Sequence, residues 1–474
     1  MADKELQVFL TLGEQDLTGK LVLSGRDTVL AVHARRPIME LPEYVTCVCQ
    51  DGRKASLLDC VRLGWGSSKH DQEVVYSAQA FPHFVALGPR HYRAEELSVA
   101  NFSFHLSGAE GLFFDIEPWI PPDREIRHDD ASDYSRTFGF YGPGVIFEAD
   151  TAIGRVSAYH APSFKGPSMS GFSAENQVRV SVEPSSPICI REVIDITYRI
   201  RCFAEVCSGQ SQSVADVSFV SIDELPTGHT VTSDLLISHS EDGVKRDRYA
   251  TGYDMLAAPC LNREDFESLV MNWFAECSSH RHVSLSRFSS NLRNDSYYDA
   301  NRLVSAASLF EWFDSSRKVE LPADIAFVID RTKRALSSLP NTDVRDRLLG
   351  ALGRARAETL KLKMERLLDG VLDDLSAYDS FDRGKAERVV ALAVRCRNAL
   401  VHGGTDERTR TLLEEYQVFL TDTLEILFAC LCLHSYGWKI RREDERHLRG
   451  HTRYATFLRE FDDRADNVIG DADG

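Results

Sequence analysis

In NREDFESLVMNWFAE, residues 262–276, the apolar positions Phe266, Leu269, Val270, Trp273 and Phe274 recur at the three-and-four spacing of one helical stripe, with Asn262 placed as a cap. Upstream of it the sequence alternates with a period of two. GKLVLSGRDTVLAVHA (19–34), VVYSAQAFPHFVALG (74–88), LSVANFSFHLSG (97–108), NQVRVSV (176–182) and DITYRIRCFAEVCS (195–208) are rich in β-branched and aromatic residues and read as strands. PPDREIRHDDASDYS (121–135) and APSFKGPSMSGFS (161–173) read as long loops between them. Downstream, a helix is expected from about Tyr298, with Leu303, Ala307, Phe310 and Phe313 inward, followed by others over roughly 321–337, 342–373, 384–402 and 407–434. The fold class is therefore α+β, a β-rich half, sandwich-like or a pair of β-rich subdomains, followed by a helical bundle.

A chain of 474 residues suggests two or three domains, and 43% hydrophobic with 27% charged residues marks it as globular. The apolar run ILFACLCL is far shorter than a membrane span, and no signal peptide opens the chain, so a cytoplasmic protein without a membrane partner is expected. Eleven irregularly spaced cysteines fit reduced thiols. The net charge of −17 excludes a protein that coats nucleic acid over its whole surface. It leaves room for a local basic site: residues 383–412 carry seven Arg or Lys against three acids, and Lys439 to Arg453 carries six against three.

RCRNALVHGG (395–404) lies in that basic stretch. Val389, Leu392, Ala393, Cys396, Ala399 and Leu400 form the expected core face of its helix, and Asn398 and His402, four apart, are neighbours on the opposite face. Arg395 completes their stripe and Arg397 flanks it. Gly403 and Gly404 should end the helix, leaving His402 in the last turn, where the negative end of the helix dipole favours imidazolium. Val394 and Val401 sit among these polar residues, which points to a second packed face, most simply against a copy of the chain. The Arg–His spacing itself recurs at Arg155/His160, Arg442/His447 and Arg446/His451. Only the copy at 397 and 402 has the Asn, the amphipathic helix and the glycine stop.

RNALVHGG resembles the signature of the HEPN ribonuclease superfamily, and DANRLVSAASLFEWFD is similar to the first helix of such domains. With GKLVLSGRDTVLAV, which resembles the ApeA N-terminal domain, the chain is similar to ApeA-like anti-phage proteins. The resemblance implies a β-rich sensor region over 1–240, a connecting segment with a helix over 241–294, and a helical nuclease domain with a charged tail over 295–474. It implies metal-independent RNA cleavage by attack of the 2′-hydroxyl, with no cofactor, in a site shared by two protomers. Arg397, Asn398 and His402 carry over as the catalytic set. Lys385, Arg388 and Arg395 are candidate RNA contacts, Val394 and Val401 candidate dimer contacts, and a phage protein a candidate activating signal.

The competing expectation is a noncatalytic HEPN module that binds nucleotide or RNA, or dimerises, as a toxin or signalling partner. Cys47 and Cys49 are two apart on an expected strand, and Cys260, Cys277, His280 and His282 have a spacing that could hold zinc; buried structural cysteines explain them more simply, and no metal is expected. Glu311 is either an extra acid at the site or a solvated helix position.

Overall fold

The computed structural model describes residues 4–38, 41–70, 73–113, 144–168, 171–224, 230–239, 252–275, 279–294, 297–317, 320–354, 357–404, 406–439 and 452–473. The expected loop at 121–135 and Cys277 lie outside them, as does most of the basic segment 439–453. The chain forms two compact units, Met1–Glu276 and Cys277–Gly474.

The first unit begins with strands β1 (Lys4–Leu12), β2 (Gln15–Leu23), β3 (Val29–Ala34), β4 (Val45–Cys49), β5 (Lys54–His70) and β6 (Glu73–Gly88). They pair in the order β3-β2-β1-β4-β5-β6, and β3 pairs back onto β6. Within the expected β-rich half, these six strands close a barrel. Strand β6 makes this possible: residues 76–80 seal the barrel against β3, while residues 84–87 start an open sheet with a further strand. Alternate side chains fill the interior, among them Leu6, Val8, Leu10, Leu21, Val32, Val45 and Leu57. Cys47, Cys49 and Cys60 belong to this core, and burial pushes the thiols of Cys47 and Cys60 up to about 12, as befits packed side chains.

After β6 come β7 (Val99–Leu106), α1 (Ala109–Leu112), β8 (Val145–Thr151), β9 (Gly154–Ser168), β10 (Gly171–Pro184), α2 (Ile190–Ser208), β11 (Val214–Glu224) and β12 (Thr230–Ile237). The sheet runs on from β6 through β12, β11, β7, β10 and β9 to β8. Two expectations are corrected here. Residues 161–168 and 171–173, expected within a long loop, belong to the paired arms of the β9–β10 hairpin, out to Ser168 and Gly171. Residues 195–208 are no strand. Their β-branched residues belong to α2, where Ile190, Val193, Ile196, Thr197 and Ile200 are buried at helical spacing. Glu192 caps the Cys189 N–H at 2.8 Å, and Gly209 ends the helix in the left-handed region.

Helix α3 (Arg263–Ala275) has the amphipathic stripe read from the sequence, and its partner is this first unit. Phe266 packs 5.1 Å from Phe147 of β8 and 5.6 Å from Phe203 of α2, and Trp273 lies 5.2 Å from Phe203.

The second unit comprises α4 (Ser279–Arg293), α5 (Ala300–Phe313), α6 (Ala323–Ser337), α7 (Asp343–Arg354), α8 (Leu360–Leu375), α9 (Arg383–His402), α10 (Glu407–Glu415), α11 (Gln417–His434) and α12 (Arg453–Asp473). The helix expected over 342–373 is two, because Thr359 caps the second of them by accepting the Leu362 N–H. That expected over 407–434 breaks at Tyr416. Helix α11 is the centre of the bundle: Phe419 to Leu433 are almost wholly buried, and Phe428 contacts Phe288, Phe310 and Phe313. It is also long and apolar enough to cross a membrane by length and composition, but 78% of it is buried by its neighbours, which is the signature of a core helix. The expected charged tail is in part α12, which buries Tyr454, Phe457, Leu458 and Phe461.

One polar network lies inside the bundle. Glu425 of α11, fully buried, accepts two hydrogen bonds from Arg302 of α5 (3.0 and 2.9 Å), one from Asn291 of α4 (2.9 Å) and one from Arg453 of α12 (2.5 Å). Arg453 also binds Asp422, which accepts the Tyr298 hydroxyl at 2.7 Å. Two arginines thus face two carboxylates, so the charges balance, while Arg453 Nη1 is left buried without a partner among the described residues.

Candidate active site

The candidate site grows from α9. Asp382 starts that helix by accepting the Lys385 N–H at 2.8 Å, and Ala386, Val389, Val390, Ala393, Val394 and Cys396 bury one face of it. The core face is rotated from the expected one: Leu392, Ala399 and Leu400 are half-buried, because the last turn emerges from the bundle. Gly403 and Gly404 end the helix with φ of 78° and 90°, in the half of backbone space that suits glycine, and the Gly403 N–H donates to the Ala399 carbonyl. Cys396 is packed inside, its thiol pushed up to about 11 by burial, so it is no nucleophile at neutral pH.

Arg397 and Asn398 line a cleft of about 640 Å³ together with Val394, Glu311 of α5, and Thr359 and Lys361 at the start of α8. The Arg397 guanidinium is mostly buried, with 14% of the side chain exposed. Its Nη2 donates to Glu311 Oε1 at 2.5 Å and its Nη1 to Asn398 Oδ1 at 3.1 Å. Its Nε is buried and has no partner among the described residues. A planar guanidinium with one edge fixed by a carboxylate and a free N–H is suited to an anion with several acceptor oxygens. Glu311 is therefore only partly solvated, and its carboxylate holds the Arg397 guanidinium. The end of α5 that carries it is anchored by Lys363, almost fully buried, which donates to the carbonyls of Glu311 and Asp314.

His402 is exposed at the helix end. Five residues of helix separate it from Arg397, about 140° and 7.5 Å, so the two do not converge in one protomer. Asn398, one turn before His402, connects the cleft to the histidine's stripe.

The candidate RNA contacts are paired within the chain: Lys385 with Asp466 at 2.8 Å, Arg388 with Asp473, and Arg395 with Asp406 at 2.5 Å. The acids of α12 thus offset the basic balance that the stretch shows in isolation. Hydrogen bonds from Thr409, then Arg395, hold the Asp406 carboxyl down at about 2. Val394 is buried by its own chain, at 5% exposure, and forms part of the cleft wall, so it needs no partner; Val401 remains 46% exposed. The second Arg–His pair, Arg155 and His160, lies on strand β9, where a spacing of five puts the side chains on opposite faces. Among the described residues no cluster of three or more His, Cys, Asp or Glu could hold a metal; Cys277 and the side chain of His280 lie outside them. Lys361 and Thr359 are site residues that the sequence pattern did not mark, since they reach the cleft only through the break between α7 and α8.

A family model described as Apea-like HEPN matches residues 304–442, which run from α5 past α11 and include every residue lining the cleft. A second, ApeA N-terminal domain 1, matches residues 14–273, over half of the chain and nearly all of the first compact unit, α3 included. No curated protein and no solved structure matches the chain. The barrel-containing first unit and the helical second unit each carry their own half of one domain pair, and the chain belongs to the family of ApeA-like HEPN proteins.

Proposed function

We propose that the protein is a metal-independent endoribonuclease of anti-phage abortive infection that cleaves host or phage RNA, transfer RNA among the candidates, from the cytoplasm. The observation that carries this is the Arg397 guanidinium, held by Glu311 and Asn398 in an open cleft with a buried, unpartnered N–H. A phosphodiester in the cleft meets the cationic guanidinium of Arg397 and Lys361, which lines the same cleft. In the proposed reaction the 2′-hydroxyl loses its proton to one histidine and attacks the neighbouring phosphorus. The bond to the 5′-oxygen breaks, a second histidine protonates that oxygen, and Arg397 stabilises the charge that builds on the phosphate. The products are a 2′,3′-cyclic phosphate and a 5′-hydroxyl. Each chain offers one histidine in the motif, and it lies around the helix from its own arginine. A homodimer that sets His402 of one protomer by Arg397 of the other completes the set.

The purified chain is incubated with total cellular RNA, with and without a chelator. Cleavage that persists in chelator and leaves 2′,3′-cyclic ends, and that falls by about 10²–10⁴-fold in His402→Ala and Arg397→Ala, is the expected result. Wild-type cleavage by folded His402→Ala, or a strict need for a divalent ion, refutes the mechanism. RNA binding without cleavage in the wild type returns the noncatalytic module.

A further inference from the structure

Strand β5 outruns its neighbour on one side. β4 pairs only with residues 54–57, whereas β6 accompanies β5 to His70. The last backbone bond on the β4 side is from the Cys60 N–H to the Glu43 carbonyl, 2.8 Å. From Val61 to Lys69 no strand or backbone hydrogen bond meets that edge among the described residues. In an antiparallel ladder every second residue turns its N–H and C=O away from its partner, so this stretch presents a row of unused donors and acceptors. A bulge interrupts the pairing between Arg62 and Gly64, but Trp65 to Lys69 pair regularly with β6 and form a straight template.

Folded proteins normally blunt such an edge. This one carries Val61, Leu63 and Trp65 at 50%, 57% and 74% exposure. Beside it lie two cavities that share Pro37 and Ile38: one of about 250 Å³ bounded by Arg62, Trp65 and Tyr76, and one of about 580 Å³ bounded by Leu12, Leu17 and Pro42. Arg62 lines the smaller cavity, Arg35 and Arg36 directly precede Pro37, and Lys69 lies further along the same strand; none of the four makes an ion pair among the described residues, in a chain whose net charge is −17.

We propose that the β5 edge takes an extended segment of another protein, with alternating apolar and acidic residues, as an added strand. The backbone edge selects an extended polypeptide, the cavities beside Trp65 take its apolar side chains, and the four cations select acidic residues on it. A second copy of this chain is a poor occupant, since it brings the same unpaired cations to the edge. The proposal concerns binding alone and stands apart from the ribonuclease chemistry.

The full chain is titrated with a fluorescent eight-residue peptide of alternating Glu and Val, and with its Lys–Val counterpart. The acidic peptide is expected to bind about tenfold tighter and to slow amide exchange within residues 61–69. Trp65→Ala and Arg62→Glu, both at exposed positions, each weaken binding about fivefold without changing the thermal melt. Equal affinity for the two peptides, or unchanged exchange at 61–69, overturns the proposal. So does protection that rises with protein concentration alone, which gives the edge to a second copy, or protection of the same amides by a uridine oligomer.

Discussion

Arg397 and His402 stand out in the sequence because the Asn, the amphipathic helix and the glycine stop separate this copy of the Arg–His spacing from the other three. Glu311 does not. It comes from a helix 86 positions earlier in the chain, and nothing local separates a carboxylate that will meet a guanidinium from one that will meet water. The 2.5 Å pair makes a prediction at this scale. Glu311→Gln keeps a hydrogen-bond acceptor but removes the charge, so Arg397 should lose part of its fixed orientation, and kcat/KM for a model RNA should fall about tenfold, or about 1.4 kcal/mol. The loss should fall mainly on kcat if Arg397 acts in the transition state. Unchanged kinetics would mean that the cleft walls alone position the guanidinium.

Elements with a clean period agree with the structure in kind, although the buried face of α9 is rotated from the expected one, and those with a mixed signal do not. α3, α5 and α9 have regular stripes, whereas α2 is built from residues that favour strands, and only its three-and-four spacing and Gly209 distinguish it. Helix α11 is apolar all round, so the sequence hides its one buried carboxylate, Glu425. Burial alone would raise the Glu425 pKa, but Arg453 and Arg302 beside it hold it below the usual carboxylate value. Its contribution to stability is therefore complete above the unfolded value and is lost as pH falls through the lower folded one. Glu425→Gln strands two buried guanidinium groups, so urea unfolding at pH 7 should show a loss of about 3–5 kcal/mol that shrinks as the wild-type carboxylate is protonated in acid. A neutral effect at pH 7 would show that Asp422 alone holds Arg453. A second expectation concerns the exposed end of α9. Val401→Asp should weaken dimerisation and RNA cleavage together, as followed by light scattering and rate measurements on one sample. A fully active monomer would refute the shared site.

At the level of the whole molecule, the order of a β-rich half and a helical half follows from the change of period, but the point of division does not. α3 shows helical periodicity, yet its aromatic face is buried against β8 and α2, so the change of period precedes the boundary between the compact units. Closure of the barrel was equally out of reach, because an alternating strand looks the same in a sandwich and in a barrel. The boundary decides how the proposed restraint is tested. A nuclease acting freely on host RNA would poison its cell, so the first unit is proposed to hold the second in check and to release it when an infection-derived partner, a phage protein, binds. Such a partner acts only through a difference in affinity for the two states, and a tenfold activation needs about 1.4 kcal/mol of it. A fragment starting at residue 260 would carry α3 without its packing partners and expose Phe266 and Trp273. One spanning residues 277–474 leaves that cluster behind. Expressed alone, it should fold, as judged by a cooperative thermal melt, and be more toxic than the full chain, with toxicity abolished by His402→Ala. If it folds and dimerises but neither cleaves RNA nor harms the cell, restraint is the wrong account. The first unit then supplies substrate contacts that the helical unit lacks.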